Sequence, residues 1–254
     1  MTYCLGIAVE KGLVFAADSR TNAGVDYISS YQKLFDFSVP GDRVIILCTA
    51  GSLSTSQSVI NTLQQDIILG ADNNLHSLPS LHEVARYLGN IMRAIQDEER
   101  PWLEKDGIGY QSTFIVGGQI KGSPPEMLLV YSQGNFISAT PETPFLQIGE
   151  TKYGKPILDR TLSHDTPLNR AAKTALLSLD STMRSNISVG PPIDMVLYEV
   201  DALEIRDRVQ LQDNDPYLRK IRKYWEEALS DASQNLPSIE WNRVAVSTEP
   251  DVGE

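Results

Sequence analysis

The residue best suited to do chemistry in this 254-residue chain is Thr2, which follows Met1 directly. If Met1 is removed, the hydroxyl and the free α-amino group of Thr2 belong to one residue. That arrangement supplies a nucleophile together with its own general base. An α-amino group has an unperturbed pKa of about 7.7–8.0, so a useful fraction is neutral near pH 7. Thr2 is therefore the first candidate catalytic residue.

Asp18 and Lys33 are the two charged residues that the chain can bring back to Thr2. The strand patterns over Thr2–Val9 and Leu13–Ala17 form a hairpin that returns Asp18 to the level of Thr2. A third strand beginning at Lys33 passes near both. An ammonium group beside Thr2 lowers the pKa of its hydroxyl, and a carboxylate holds that ammonium in place. Taken singly, Asp18 fits a polar turn and Lys33 fits a solvated surface lysine.

Composition excludes several other classes of protein. The formal net charge of −11 argues against binding to a nucleic-acid backbone. Cys4 and Cys48 lie in apolar runs, where we expect buried thiols rather than a disulfide framework or a metal site. The histidines His76, His82 and His164 have polar neighbours and no ligand spacing. We find no signal peptide and no apolar run long enough to span a membrane, so we expect a cytoplasmic protein.

Hydrophobic periodicity predicts hairpins grouped with pairs of helices, which is typical of an α+β domain with sheet and helix layers. The predicted strands are Thr2–Val9, Leu13–Ala17, Lys33–Phe37, Arg43–Thr49, Phe114–Gly118, Met127–Ser132, Phe136–Ala139, Phe145–Ile148 and Asp194–Val200. The predicted helices are Ser54–Leu69, Pro79–Glu99, Tyr153–Leu162 and Pro167–Met183.

The character of the chain changes after residue 205, so we expect a domain over 1–205 and a C-terminal extension over 206–254. Pro216 suits the start of an amphipathic helix in this extension. The apolar face of that helix consists of Tyr217, Ile221, Tyr224, Trp225 and Leu229. Such a face packs either on its own domain or on a neighbouring subunit. An arm and a flexible acidic tip are predicted to follow.

A set of short motifs, in this order and spacing, resembles the proteasome β-subunit family. The motifs are Thr2, Ala17-Asp18-Ser19-Arg20, Gly24, Lys33, Ala50-Gly51-Ser52 and Ile148-Gly149-Glu150. The likeness is to the bacterial ancestral β-subunit (Anbu) branch, a relative of HslV, and covers about residues 2–200. It implies an N-terminal-nucleophile hydrolase with a four-layer αββα sandwich.

The resemblance also implies roles for individual residues. Thr2 is the expected nucleophile with its α-amine as base, Lys33 adjusts pKa values, and Asp18 holds Lys33. The Gly51 N–H is expected to stabilise the oxyanion. Asn22 and Gly51 are both expected to pair with an extended peptide, which then forms an added strand. Thr49 and Leu53 are expected to shape the pocket for the side chain before the scissile bond.

The chain departs from the family pattern in three places. The family usually has one more residue between the aspartate and the lysine, so a loop must be shorter here. A serine commonly follows the glycine matched by Gly149, but here Glu150 stands there, as a polar substitute or as a repulsive charge. The family also uses an aspartate and a serine near the end of the last helix. Asn186 and Ser188 are the counterparts in this chain.

The sequence therefore predicts a self-assembling threonine-type peptidase that forms a homo-oligomeric ring or ring-like assembly, with the extension at subunit contacts. No cofactor or metal is expected, and no feature specifies an unfoldase partner. Two alternatives stay open. One is an N-terminal-nucleophile amidase acting on a small amide, and the other is a non-catalytic scaffold subunit with the same fold.

Overall fold

The computed structural model describes residues 2–22 and 28–242, except for the side chains of Asn22 and Ile28. The expectations for Met1, for Gly24 and for the acidic tip after residue 242 fall outside these residues. The strands are β1 (Tyr3–Val9), β2 (Gly12–Asp18), β3 (Arg20–Asn22), β4 (Ile28–Ser30), β5 (Leu34–Asp36), β6 (Arg43–Gly51), β7 (Ser112–Ile120), β8 (Glu126–Val130), β9 (Phe136–Ser138), β10 (Phe145–Gly149), β11 (Ile193–Glu199) and β12 (Asp207–Leu211). The α-helices are α1 (Leu53–Ile68), α2 (Leu81–Leu103), α3 (Lys155–Thr161), α4 (Leu168–Ser185) and α5 (Pro216–Gln234).

Two five-stranded antiparallel sheets form the centre of the fold. The first has the strand order β10-β1-β2-β11-β12, and the second has the order β5-β6-β7-β8-β9. A separate pair, β3 and β4, joins the end of the first hairpin to the second sheet. The predicted strands and helices occur in the predicted order, including both helix pairs, while β3, β4 and β12 were not predicted.

Three apolar clusters hold four layers together. One cluster lies between the two sheets and contains Phe15 from β2 and Ile115 from β7. A second packs α4 on the first sheet through residues such as Leu179, and a third packs α1 and α2 on the second sheet. Because each sheet is covered on both faces, its inner strands, such as β2 and β6, are almost continuously buried. The αββα sandwich is confirmed.

Polar side chains cap the N-termini of three of the helices. The Ser52 side chain accepts a hydrogen bond from the Thr55 N–H at the start of α1, and Ser80 does the same for Glu83 in α2. Asp215 caps α5, and Pro216 occupies the first turn as the sequence predicted. The first of these caps matters most for the site, because Ser52 follows Gly51 directly.

The segment after residue 205 is more closely joined to the domain than the sequence suggested. Its first part forms β12, which pairs with β11 at the edge of the first sheet. Sequence patterning missed this strand because four of its five residues are exposed and no buried face alternates along it. Helix α5 then packs on α4, with Leu218 buried and Ile221 partly buried.

We expect Phe15→Ala to lower the free energy of unfolding by about 3–5 kcal/mol, because the ring is fully buried between the sheets. Ile137→Ala on β9 is a suitable control, since Ile137 is 46% exposed, and it should cost less than about 1 kcal/mol. Chemical denaturation of both variants in the same assembly state measures the difference. An equal loss for both variants would contradict the two-sheet packing.

Candidate active site

A buried ion pair joins two of the predicted residues. The Lys33 ammonium donates to Asp18 Oδ1 at 2.8 Å, and the two side chains are 5% and 0% exposed. The same ammonium donates to the Arg20 carbonyl at 2.5 Å. Lys33 is thus held by a charge and by a backbone oxygen, as a buried ammonium requires. The prediction that the chain returns Asp18 and Lys33 to one place is confirmed.

Asp18 is also tied to the backbone beside Thr2. Its Oδ1 accepts the Tyr3 N–H at 2.9 Å, and its Oδ2 accepts the Gly190 N–H at 3.2 Å. Burial raises the pKa of Asp18 above its ordinary value, while Lys33 and the two backbone donors act to lower it. One carboxylate therefore fixes the first strand, Lys33 and the segment before β11 relative to each other.

Thr2 is placed by its carbonyl group. The Thr2 carbonyl accepts the Glu150 N–H at 2.7 Å, just beyond the pairing of Tyr3 with Gly149. A Cβ at Gly149 would lie 2.1 Å from the Thr2 oxygen, and Gly149 has φ of +84°, so this position requires glycine. The glycine thereby permits β10 to approach Thr2 closely.

Glu150 bridges Thr2 to the end of α4. Its side chain accepts from the Lys152 N–H at 2.9 Å and from Asn186 Nδ2 at 3.1 Å. Asn186 Oδ1 in turn accepts the Ser188 N–H at 3.0 Å. Glu150, Asn186 and Ser188 therefore form one hydrogen-bonded group beside Thr2.

The segment Ala50–Ser52, here called the glycine turn, lies at the end of β6 and leads into α1. Gly51 has φ of +115°, and a Cβ there would lie 2.3 Å from the Gln111 carbonyl. A residue other than glycine is therefore strained for two reasons. The N-terminus of α1 follows at once, and its helix dipole adds positive potential beside the turn.

Thr2, Lys33, Gly51, Thr49 and Leu53 line a single cleft of about 640 Å³. The structure thus brings together five of the predicted residues. It also adds cleft-lining residues that carry no motif, because they come from separate strands, loops and the start of α1. These are Thr21, Gln32, Phe35, Ser54, Ser56, Gln57, Ile108 and Gly109. Asn22 ends β3, and its side chain lies outside the described residues.

Arg20 and Gly190 are supporting residues that the sequence analysis did not identify as such. The Arg20 guanidinium donates to the Ile187 carbonyl at 2.8 Å, while the Gly190 carbonyl accepts from the Ser19 and Arg20 N–H groups at 3.4 and 3.3 Å. Arg20 belongs to the Ala17-Asp18-Ser19-Arg20 motif, and that position was the sequence signal that could have identified it. Gly190 gave none, because its contribution is a backbone group.

The two thiols lie in the core, as expected. Cys4 and Cys48 are free and buried in the layer between the sheets. Burial, with a smaller contribution from Cys48, raises the pKa of the Cys4 thiol well above its usual value. The Cys4 thiolate is therefore unavailable as a competing nucleophile.

Among the described residues, no group of three or more histidine, cysteine, aspartate or glutamate side chains is arranged to hold a metal ion. In the same part of the chain, no helix is long and apolar enough to cross a membrane.

Comparisons with known proteins agree with this geometry. A family model described as Proteasome subunit matches residues 2–197. The structure of Anbu (ancestral beta-subunit) from Yersinia bercovieri is similar with a TM-score of 0.89 and 42% identity, covering 95% of this chain and 100% of that chain. The helical assembly of the Anbu complex from Pseudomonas aeruginosa is similar with a TM-score of 0.88 and 46% identity, covering 94% and 98%. A proteasome subunit beta from Haloquadratum walsbyi is 23% identical over 219 residues, covering 84% of this chain and 79% of that protein.

The fold and the matches define an N-terminal-nucleophile hydrolase of the peptidase type. Within that class, the chain belongs to the proteasome β-subunit family, in its Anbu branch.

Replacing Asp18 with Asn should destabilise the fold strongly, because the Lys33 ammonium then stays buried without an anion. We expect a loss of about 3–5 kcal/mol in the free energy of unfolding. The matched control is Asp42→Asn, which removes the carboxylate partner of Arg43 at a site where the acid is 49% exposed. That change should cost about 1 kcal/mol or less. Denaturant titration of both variants tests the difference, and similar losses would show that the Asp18–Lys33 pair is not structurally important.

Proposed function

We propose that this chain is a threonine peptidase whose nucleophile is the Thr2 hydroxyl, exposed as the first residue after removal of Met1. The observation that carries the proposal is the buried Lys33–Asp18 pair, which is hydrogen-bonded to the Tyr3 N–H beside Thr2. Lys33 and Thr2 line one cleft with Gly51. The site thus combines a hydroxyl, a fixed ammonium and a backbone donor.

In the proposed reaction, the Thr2 α-amine accepts the hydroxyl proton as the Thr2 oxygen attacks the peptide carbonyl carbon. The fixed Lys33 ammonium favours the neutral amine and the developing alkoxide. The Gly51 N–H donates to the oxyanion of the tetrahedral intermediate, where a single donor contributes roughly 3–4 kcal/mol. When the C–N bond breaks, the amine group of Thr2 returns its proton to the leaving nitrogen. Water then hydrolyses the Thr2 ester, and the second product leaves.

An extended peptide is the proposed substrate. The cleft is lined by Thr2, Thr21, the glycine turn, Ile108 and Gly109, among others. Backbone groups of β3, which ends at Asn22, and of Gly51 can pair with an extended peptide as an added strand. In this proposal Thr49 and Leu53 face the side chain before the scissile bond. Backbone groups on both β3 and the glycine turn favour a peptide over a small amide, which needs no such pairing.

Labelling with a threonine-directed epoxyketone or β-lactone tests the nucleophile. In protein purified from its native cells, intact mass and N-terminal sequencing should show loss of Met1 and one adduct at Thr2. Lys33→Ala should abolish the adduct and reduce peptide hydrolysis by at least about 100-fold, since a fixed charge at the reacting centre is lost. Thr2→Ala should be inactive, while Thr2→Ser should retain activity.

The matched control for this experiment is Lys11→Ala, because Lys11 is an exposed lysine that pairs only with its neighbour Glu10. It should label and hydrolyse as the wild-type chain does. Retained Met1 without an adduct would contradict the peptidase proposal and favour the scaffold alternative. An adduct at Thr2 without cleavage of any peptide would favour the small-amide alternative.

We also propose that the chain is a cytoplasmic homo-oligomer with ring-like or helical order, and that α5 and the arm after it form subunit contacts. One face of α5 packs on its own domain, where Arg222 pairs with Asp180 at 3.0 Å. Large apolar groups of α5 and of the segment after it stay in solvent, including Tyr224 at 72% and Trp241 at 79% exposure. Exposed apolar groups of this size favour burial against a second subunit.

Tyr224→Glu should weaken assembly, because it places a charge in the proposed apolar contact. We expect the dissociation constant between subunits to rise about tenfold or more, as for a central aromatic contact. Ser230→Glu adds the same charge at another exposed position of α5 and serves as the control. Light scattering after size-exclusion chromatography measures both variants over a range of concentrations. Equal assembly of the two variants would contradict the proposal that α5 forms a subunit contact.

A further inference from the structure

Three buried hydroxyl groups connect the wall of the cleft with the glycine turn. Thr49 Oγ1 lies 2.8 Å from Ser56 Oγ, and Ser56 Oγ lies 3.1 Å from Ser112 Oγ. Ser112 Oγ then donates to the Ser52 carbonyl at 3.1 Å. The three residues are 5%, 4% and 1% exposed. They come from β6, α1 and β7, so no sequence spacing groups them.

The direction of this chain is fixed by its last acceptor. A carbonyl oxygen only accepts, so the Ser112 hydroxyl proton is used on Ser52. Ser112 can then only accept from Ser56, and Ser56 can only accept from Thr49. Each hydroxyl has one proton, and all three contacts are made only when all three protons point the same way. Thr49, which is one of the residues that line the cleft, is thereby left with a hydroxyl oxygen that can only accept a further hydrogen bond.

The start of β7 holds the glycine turn from two sides. Gly51 and Ser112 are paired residues in the register of β6 and β7. The Gln111 carbonyl accepts the Ser52 N–H at 2.8 Å, while Ser112 donates to the carbonyl of the same residue. These two contacts fix the two peptide groups immediately after Gly51. The peptide group that includes the Gly51 N–H precedes them directly, and its Ala50 carbonyl accepts from Thr113 Oγ1 at 3.4 Å. Three consecutive peptide groups of the turn are therefore tied to β7 or the residue before it.

We propose that Ser112 is a positioning residue, and that the relay Thr49–Ser56–Ser112 couples the pocket for the side chain before the scissile bond to the glycine turn. This inference rests on the proposed peptidase function. The relay acts through the Gly51 N–H, which is used in the transition state, and so affects turnover more than substrate binding.

The relay also indicates the class of side chain that the pocket accepts. Of the described residues that line the cleft, Lys33 alone has a charged side chain, and its ammonium is engaged by Asp18 and the Arg20 carbonyl. The pocket therefore favours a neutral side chain. Since the Thr49 oxygen can accept, a side chain with a hydrogen-bond donor, such as glutamine, is favoured over methionine of similar length. Binding of that donor also polarises the relay toward Ser52.

Kinetics on two fluorogenic peptides that differ only in glutamine or methionine before the scissile bond test the relay. Ser112→Ala should lower kcat about tenfold to 100-fold, as expected for a small displacement of a catalytic donor, with KM little changed. Thr49→Val should abolish the preference for glutamine. In the variant that carries both Thr49→Val and Ser112→Ala, the loss in kcat should be smaller than the product of the two single losses, because both changes interrupt one relay.

Two further variants keep the test decisive. Ser56→Ala cuts the relay but leaves the contact from Ser112 to Ser52, so it should abolish the glutamine preference with a smaller loss of kcat. It also serves if Ser112→Ala fails to fold. The control is Thr174→Val, which removes a buried hydroxyl on α4 in the opposite helical layer. It should leave kcat and KM for both peptides unchanged.

The outcomes separate the two proposals. If the wild-type chain labels at Thr2 and hydrolyses peptides while Ser112→Ala and Ser56→Ala keep both kcat and the glutamine preference, the relay is overturned and the peptidase proposal stands. Losses that multiply in the double variant would also overturn the relay. A wild-type chain that neither labels nor hydrolyses would overturn the peptidase proposal and the relay with it.

Discussion

The buried Lys33–Asp18 pair is the interaction on which the arrangement of the site depends. Removing an ammonium and a carboxylate from water is costly, and their attraction offsets that cost only when the remaining hydrogen-bonding positions are used. Here the carboxylate also accepts two backbone N–H groups, and the ammonium also donates to the Arg20 carbonyl. The pair therefore demands that four separate segments meet, and the two sheets supply the frame in which they can.

The same frame imposes two backbone constraints at the cleft. Gly149 allows β10 to approach the Thr2 carbonyl, and Gly51 allows the end of β6 to pass close to Gln111. Both glycines have positive φ, so a side chain at either position would meet backbone atoms as well as conformational strain. The cleft is thus shaped by positions where a side chain is excluded, while hydroxyl groups such as Ser112 hold the backbone from the next strand.

Much of this arrangement was predictable from sequence. The hairpin between β1 and β2 made the return of Asp18 to Thr2 a matter of counting residues, and the long apolar runs reflected sheets covered on both faces. What sequence could not supply were contacts made by the backbone or by isolated polar residues. Gly190 acts through its N–H and carbonyl, and Ser112 acts through the Ser52 carbonyl at the start of α1. The strand β12 was missed because its exposed residues lack the alternation that marks a half-buried strand.

The way Thr2 is held is compatible with its proposed role as a nucleophile at the end of the chain. Its anchors are its own carbonyl, bound to the Glu150 N–H, and the following Tyr3 N–H, bound to Asp18. Both lie on the C-terminal side of the Thr2 α-carbon. The proposed removal of Met1 breaks neither contact, because it changes only the amine side of Thr2. The sheet edge and the ion pair therefore position Thr2 together, and the proposed nucleophile depends on both.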